Sequence, residues 1–160
     1  MVDPWPVDDH HIFLLDTHAT IPARVRKLKI SLTMTGRPPF LIAVVDDDQG
    51  ILRSLEYLLE SADYAVRLFA SASELLDSPW LPELDCLISD VDMPATDGFE
   101  LVRLIRSSRP ELAIILITGY PDRLAHLPAL GGSELRLFTK PFQGDELLQA
   151  VSAALANPHK

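Results

Sequence analysis

The chain of 160 residues is 48% hydrophobic and 23% charged, the balance of a globular protein able to bury a sizeable core. Its formal net charge of -9 argues against nucleic-acid binding as the main task, because a phosphate backbone needs a basic face. Cys86 is the only cysteine, which rules out an intrachain disulfide, and no apolar run approaches the roughly 20 residues of a transmembrane helix.

Pro4, Pro6, Pro22, Pro38 and Pro39 interrupt the first 40 residues, which show no sustained period. Residues 1–39 are therefore read as an irregular N-terminal extension. They lack the basic start of a secretory signal, so a cytoplasmic location is the expectation. Met34 stands shortly before the first strand and offers an alternative start, which would leave residues 1–33 upstream of the protein proper. The basic stretch from Arg24 to Lys29 is read as solvated, and His10, His11 and His18 as chance neighbours rather than metal ligands.

From Phe40 onward, apolar runs alternate with helical patterns. The run 40–45 predicts a first strand, followed by Asp46 and Asp47. Residues 49–61 predict a helix with Ile51, Leu52, Leu55, Leu58 and Leu59 on one face. The second strand, 64–69, carries Arg67 and reads as an edge strand. A helix over 72–78 begins with Ser71 and Glu74 at capping-box spacing, and Trp80 is expected to pack locally. The third strand, 85–90, holds Cys86 as a buried, inert thiol and ends at Asp90. Asp97-Gly98 reads as a turn before a helix over 98–108.

The fourth strand, 112–117, leads to Thr118 and Gly119, and Pro128 weakens a helix over 122–130. The fifth strand, 135–139, precedes Lys140. A helix over 144–156 sets Leu147, Leu148, Val151 and Leu155 on one face, leaving 157–160 as a tail. Every strand except the second lies among continuous apolar residues, as burial on both faces requires. Successive βα units predict an α/β fold, a doubly wound five-stranded parallel sheet in the flavodoxin-like order 2-1-3-4-5.

In that order the first and third strands adjoin, so Asp46 and Asp47 face Asp90 across the carboxyl edge of the sheet. Carboxylates packed this closely repel, and a divalent cation relieves the repulsion. Oxygen ligands completed by water suit Mg2+ better than a transition metal. Lys140 adds a compact positive charge for a phosphoryl oxygen, and Thr118 a hydroxyl donor. The components match phosphoryl transfer, with the Asp90 carboxylate as nucleophile. The blander reading has Asp46, Asp47 and Asp48 merely capping a helix; that accounts for one of them, not the set.

The ordered residues Asp46-Asp47, Asp90-Val91-Asp92-Met93-Pro94, Asp97-Gly98, Thr118 and Lys140-Pro141 carry a resemblance. The chain from about Phe40 to Ala156 resembles a response-regulator receiver domain. The resemblance implies that Asp90 accepts a phosphoryl group from a phosphohistidine on a sensor histidine kinase or a histidine phosphotransfer protein. It implies Mg2+ held by Asp47, Asp90 and the backbone carbonyl of Asp92, with Asp46 helping through water. It implies catalytic roles for Asp90, Thr118 and Lys140 and a cis bond between Lys140 and Pro141. The protein is then an acceptor and slow autophosphatase rather than a turnover enzyme.

Two positions depart from the family pattern. The usual aromatic three residues before the lysine is Leu137 here, with Phe138 expected on the opposite face, and Pro128 falls in the fourth helix. Thr118 and Leu137 are the candidate switch residues. Nothing recognisable follows the last helix, so the expectation is a stand-alone receiver acting through an unknown downstream protein or onward phosphotransfer, without nucleic acid or membrane. The alternatives are a receiver-like scaffold that is never phosphorylated and a haloacid-dehalogenase-type phosphatase. The second is suggested by Asp90-Val91-Asp92 and opposed by Pro94 where a Thr is expected.

Overall fold

The computed structural model describes residues 39–123, 125 and 135–156. The expectations on residues 1–38, on Pro128 and most of the helix at 122–130, and on the tail at 157–160 lie outside the described residues. The elements are β1 (Leu41–Val45), α1 (Gln49–Ser61), β2 (Ala65–Phe69), α2 (Ala72–Leu76), a single 3-10 turn (Leu81–Glu83), β3 (Cys86–Asp90), α3 (Gly98–Ser108), β4 (Ala113–Thr118), β5 (Leu135–Thr139) and α4 (Gly144–Ala156). The five strands form one parallel sheet in the order β2-β1-β3-β4-β5.

Alternation along the strands splits the core into two layers. Ala43, Val45, Leu87, Ile114 and Leu116 face α2 and α3, where Leu75, Phe99, Val102 and Ile105 meet them. Ile42, Val44, Ile88, Ile115 and Ile117 face α1 and α4, against Leu52, Leu55, Leu59, Leu147 and Val151. The helices start where side chains satisfy their free amides. Asp48 caps α1, its Oδ1 accepting from the N–H of Gly50 at 2.8 Å and of Ile51 at 3.2 Å. Ser71 caps α2 through the Glu74 amide, while the Glu74 carboxylate reaches back to the Ala70 amide at 2.9 Å. Asp97 caps α3 through the Glu100 amide at 2.8 Å.

One strand reading needs correction, and another holds for a different reason than its charge suggested. β5 is an edge strand, only half-buried, with Arg136 exposed, rather than a strand buried on both faces. β2 is the other edge, yet the charge that suggested an edge does not face water. Arg67 is 2% exposed, because its guanidinium lies 3.8 Å over the Trp80 ring. Leu137 and Phe138 do point to opposite faces. Leu137 packs with the α3 layer, and Phe138 with the α1 and α4 layer, where it meets Phe142 edge-on at 5.9 Å.

The amino edge of the sheet is fastened by arginines. Arg109 donates from Nη1 to the carbonyls of Leu81 and Pro82 at 2.8 and 2.9 Å and from Nη2 to that of Leu84 at 3.1 Å. Its Nε meets Glu111 Oε1 at 2.6 Å. Arg106 Nη1 donates to the carbonyls of Pro110 and Leu112 at 2.7 and 2.6 Å. The carboxylate of Asp85 accepts from the Leu41 amide at 2.7 Å. No helix among the described residues is long and apolar enough to cross a membrane.

Candidate functional site

The carboxyl edge collects its residues by continuing the strand ladders past the strand ends. The Asp46 amide donates to the Phe69 carbonyl at 3.1 Å, that of Val91 to Ile117 at 2.8 Å, and that of Lys140 to Thr118 at 2.8 Å. Pairing of Val45 with Ser89 then sets Asp46 beside Asp90. The peptide bond between Lys140 and Pro141 is cis.

Carboxylate oxygens of Asp46, Asp47 and Asp90 lie within 4.8 Å of one another. Asp46 and Asp90 are buried and Asp47 is exposed. Lys140 Nζ is 3.0 Å from Asp90 Oδ1 and 3.8 Å from Asp46 Oδ2. Asp46 Oδ1 accepts from the Asp48 amide at 2.8 Å, and Asp90 Oδ2 from the Asp92 amide at 3.1 Å. Since Asp48 is the helix cap, Asp46 and Asp47 are left for other chemistry.

One lysine does not neutralise three carboxylates. Burial, helped by the charges of Asp90 and Asp47, raises the Asp46 carboxyl to about 6, against the pull of the Asp48 amide and Lys140. Burial also raises that of Asp90, although Lys140 opposes it. Burial pulls the Lys140 ammonium down, yet its hydrogen bond to Asp90 and the charges of Asp90, Asp46 and Asp92 leave it raised. All the clustered donors are carboxylate oxygens, the set a hard divalent cation takes, and bound charge would relieve the repulsion that burial imposes.

The cleft holding this cluster measures about 430 Å3 and is lined by Asp46, Asp47, Asp48, Ile51, Asp90, Asp92, Gly119, Tyr120 and Lys140. Behind Asp90, Gly98 at the start of α3 packs against the loop that follows β3. A Cβ there would stand 2.6 Å from the Asp90 carbonyl oxygen and 2.8 Å from Val91 Cα, and the Gly98 amide donates to the Val91 carbonyl at 3.0 Å. Only glycine lets the helix lean this closely on the loop. Thus Asp97-Gly98 is more than a turn.

The structure brings Asp46, Asp47, Asp90 and Lys140 together. The Asp92 carboxylate stays outside the cluster. Its Oδ2 accepts from the Thr118 hydroxyl at 2.7 Å and the Gly119 amide at 3.2 Å, and Arg123 Nε approaches its Oδ1 at 3.5 Å. Leu137 packs in the core beside α3 rather than lining the cleft. Sequence reasoning missed the Gly98 contact, the Asp92 side-chain bonds, Arg123, and the lining by Ile51 and Tyr120. The glycine directly after a capping Asp was the one available signal; Arg123 gave none.

Residues 42–152 match the family described as the response regulator receiver domain. The response regulator protein TodT of Pseudomonas putida is 36% identical over 115 residues, covering 72% of this chain and 51% of TodT. The transcriptional regulatory protein FixJ of Bradyrhizobium diazoefficiens is 35% identical over 116 residues, covering 71% of this chain and 56% of FixJ. The chain spans about half the length of the curated relatives it matches. Among solved structures, a receiver domain from Clostridium thermocellum aligns with a TM-score of 0.67 at 28% identity, covering 73% of this chain and 94% of that one. Chemotaxis protein CheY4 of Vibrio cholerae aligns at 0.65 with 29% identity, covering 73% and 99%.

Proposed function

The chain belongs to the response regulator receiver domain family, and from that premise we propose that Asp90 accepts a phosphoryl group from a phosphohistidine on a sensor histidine kinase or a histidine phosphotransfer protein. The observation that carries this reading is the position of Asp90, buried at the end of β3 with Lys140 Nζ at 3.0 Å and two further carboxylates beside it. A carboxylate oxygen of Asp90 attacks phosphorus, the bond from phosphorus to the imidazole nitrogen breaks, and the electron pair leaves with the imidazole. Lys140 stays paired with the acceptor while a phosphoryl oxygen arrives, and the buried Thr118 hydroxyl at the end of β4 is a further donor.

The carboxylates of Asp47 and Asp90 and the Asp92 carbonyl would hold Mg2+, with Asp46 acting through water. When bound it would neutralise charge on the acceptor and on the incoming phosphoryl oxygens. The protein is an acceptor that slowly loses its phosphoryl group, not a turnover enzyme, and it signals by protein contact or onward transfer. FixJ is named a transcriptional regulatory protein, and the chain covers 56% of it. Transcriptional control through a DNA-binding partner is therefore the second reading, and it sets aside the expectation that nucleic acid plays no part in the output.

Incubation with acetyl phosphate and Mg2+, followed by intact-mass measurement, tests the acceptor. One phosphoryl adduct on the wild type and none on Asp90→Ala is the expected result. Undiminished single modification of the variant would overturn the assignment.

A further inference from the structure

Two donors converge on one oxygen at the end of β4. The Thr118 hydroxyl and the Gly119 amide both point at Asp92 Oδ2, at 2.7 and 3.2 Å. Thr118 is fully buried, and its oxygen already accepts from the Tyr120 amide at 3.0 Å. Its single proton is therefore committed to Asp92; the Tyr120 carbonyl, at 3.4 Å, is the poorer acceptor. A hydroxyl and an amide aimed at one point make a seat for an anionic oxygen. The seat lies in the cleft that holds Asp90 and Lys140, with Asp92 and Gly119 in its wall.

We propose that the Asp92 carboxylate is a resident stand-in for the phosphoryl group, occupying the Thr118 and Gly119 seat until phosphorylation of Asp90 displaces it. The inference rests on Asp90 being the acceptor.

Three features suit the carboxylate to leaving. Its Oδ1 is buried and makes no hydrogen bond, its contact being the longer ion pair with Arg123 Nε at 3.5 Å, so half of the group is held weakly. The Asp92 backbone is pinned separately by its amide bond to Asp90 Oδ2, so the side chain can turn without moving the loop. Arg123, with its side chain 39% exposed and its Nε 3.5 Å from Oδ1, stands ready to follow the departing charge. A phosphoryl group on Asp90 would supply the push, because two anions cannot share one pair of donors. Displacement moves Asp92 and Arg123 together and so carries the event to the surface without an aromatic ring at position 137.

Beryllofluoride with Mg2+, a mimic of the phosphoryl group, tests this by its affinity for the wild type, Asp92→Ala, Thr118→Val and the double variant. Asp92→Ala should bind about tenfold more tightly, the worth of one charge-assisted hydrogen bond that no longer competes. In the Thr118→Val background that gain should fall below half, because the contested donor is gone. A gain of equal size in both backgrounds would reduce Asp92 to a general charge effect, and no gain in either would remove it from the seat; both overturn the proposal.

An independent reading comes from the metal-free protein. The amide resonance of Gly119 should shift in Asp92→Ala, and an unmoved resonance also overturns the proposal. Should Asp92→Ala fold poorly, Asp92→Asn keeps a weaker neutral acceptor and should show a smaller gain in the same direction. A wild type that loads at Asp90 while the Asp92 variants bind no better sinks only the displacement. A wild type that neither loads nor is phosphorylated sinks the acceptor reading with it.

Discussion

The two edges of the sheet treat charge in opposite ways. At the amino edge the fastening charges reach partners of opposite polarity. Arg109 meets three carbonyls and Glu111, Arg106 meets two carbonyls, and Asp85 takes the Leu41 amide. At the carboxyl edge Asp46, Asp47 and Asp90 crowd around one lysine, and burial holds two of them above their ordinary carboxyl range. The contrast divides one sheet: the fastening groups at one end reach backbone and side-chain partners, while the carboxylates at the other crowd together and repel.

Substitution should split the edges cleanly. The largest effect is expected for Asp90→Asn, which should lose all phosphoryl acceptance by intact mass while the metal-free protein melts no lower than the wild type. Retained acceptance would place the nucleophile elsewhere. At the opposite edge, Arg109→Ala strands three carbonyls and should cost about 3 kcal/mol in urea unfolding, since hydrogen bonds to a charged group are the stronger kind. Its Mg2+ affinity should not change; a joint loss of both would erase the separation.

Gly98→Ala sits where helix packing meets the site. With a Cβ 2.6 Å from the Asp90 carbonyl oxygen, it should cost about 2 kcal/mol by overpacking and should slow acetyl phosphate labelling as well. A stable variant that labels at the wild-type rate would show that the loop yields freely.

Acidity offers a sharper test of the carboxyl edge. The Asp46 carboxyl is raised from 3.8 to about 6, so the metal-free folded state holds a proton that the unfolded chain has released. Stability is then fullest below about pH 4 for this group and falls as pH rises to about 6, a loss on the order of 2 kcal/mol, to which the raised Asp90 adds in the same direction. Saturating Mg2+ should flatten the slope. Metal-free stability that rises over this interval would mean the edge is already neutralised. The smallest effect is expected for Asp47→Asn, which removes one exposed ligand and should weaken Mg2+ binding about tenfold by calorimetry. An unchanged affinity would remove Asp47 from the ligand set.

What the sequence revealed follows the same divide. The buried strands β1, β3 and β4 announce themselves as unbroken apolar runs, and an acid or hydroxyl at the end of such a run reads directly as an edge residue. Position along a strand is enough to place Asp46, Asp90, Thr118 and Lys140. Composition misled on β5, and on β2 it gave the right edge without the burial of its charge. Arg67 marked β2 as an edge, but nothing in its own strand reveals that Trp80 covers it, and the apolar residues of β5 looked fully buried although that strand has one neighbour. The division of labour among Asp46, Asp47 and Asp48 depends on backbone dihedrals at the helix start, and the turn of Asp92 toward Thr118 on a single side-chain rotamer. Neither is written in residue identity alone.

The amide tethers past the strand ends carry a further consequence. Val91 and Lys140 are both hung from β4, through Ile117 and Thr118, whereas Asp46 is hung from β2 through Phe69. The segments that follow β3 and β5 therefore hang from one strand, and the segment that follows β1 hangs from another. Val91 and Lys140 thus follow β4, while β3, paired with both β1 and β4, ties Asp90 to Asp46 as well. The outer faces of the helices can thus be rewritten, residue by residue, without retuning the distance between Asp90 and Lys140, because that distance belongs to the middle of the sheet and not to its coat.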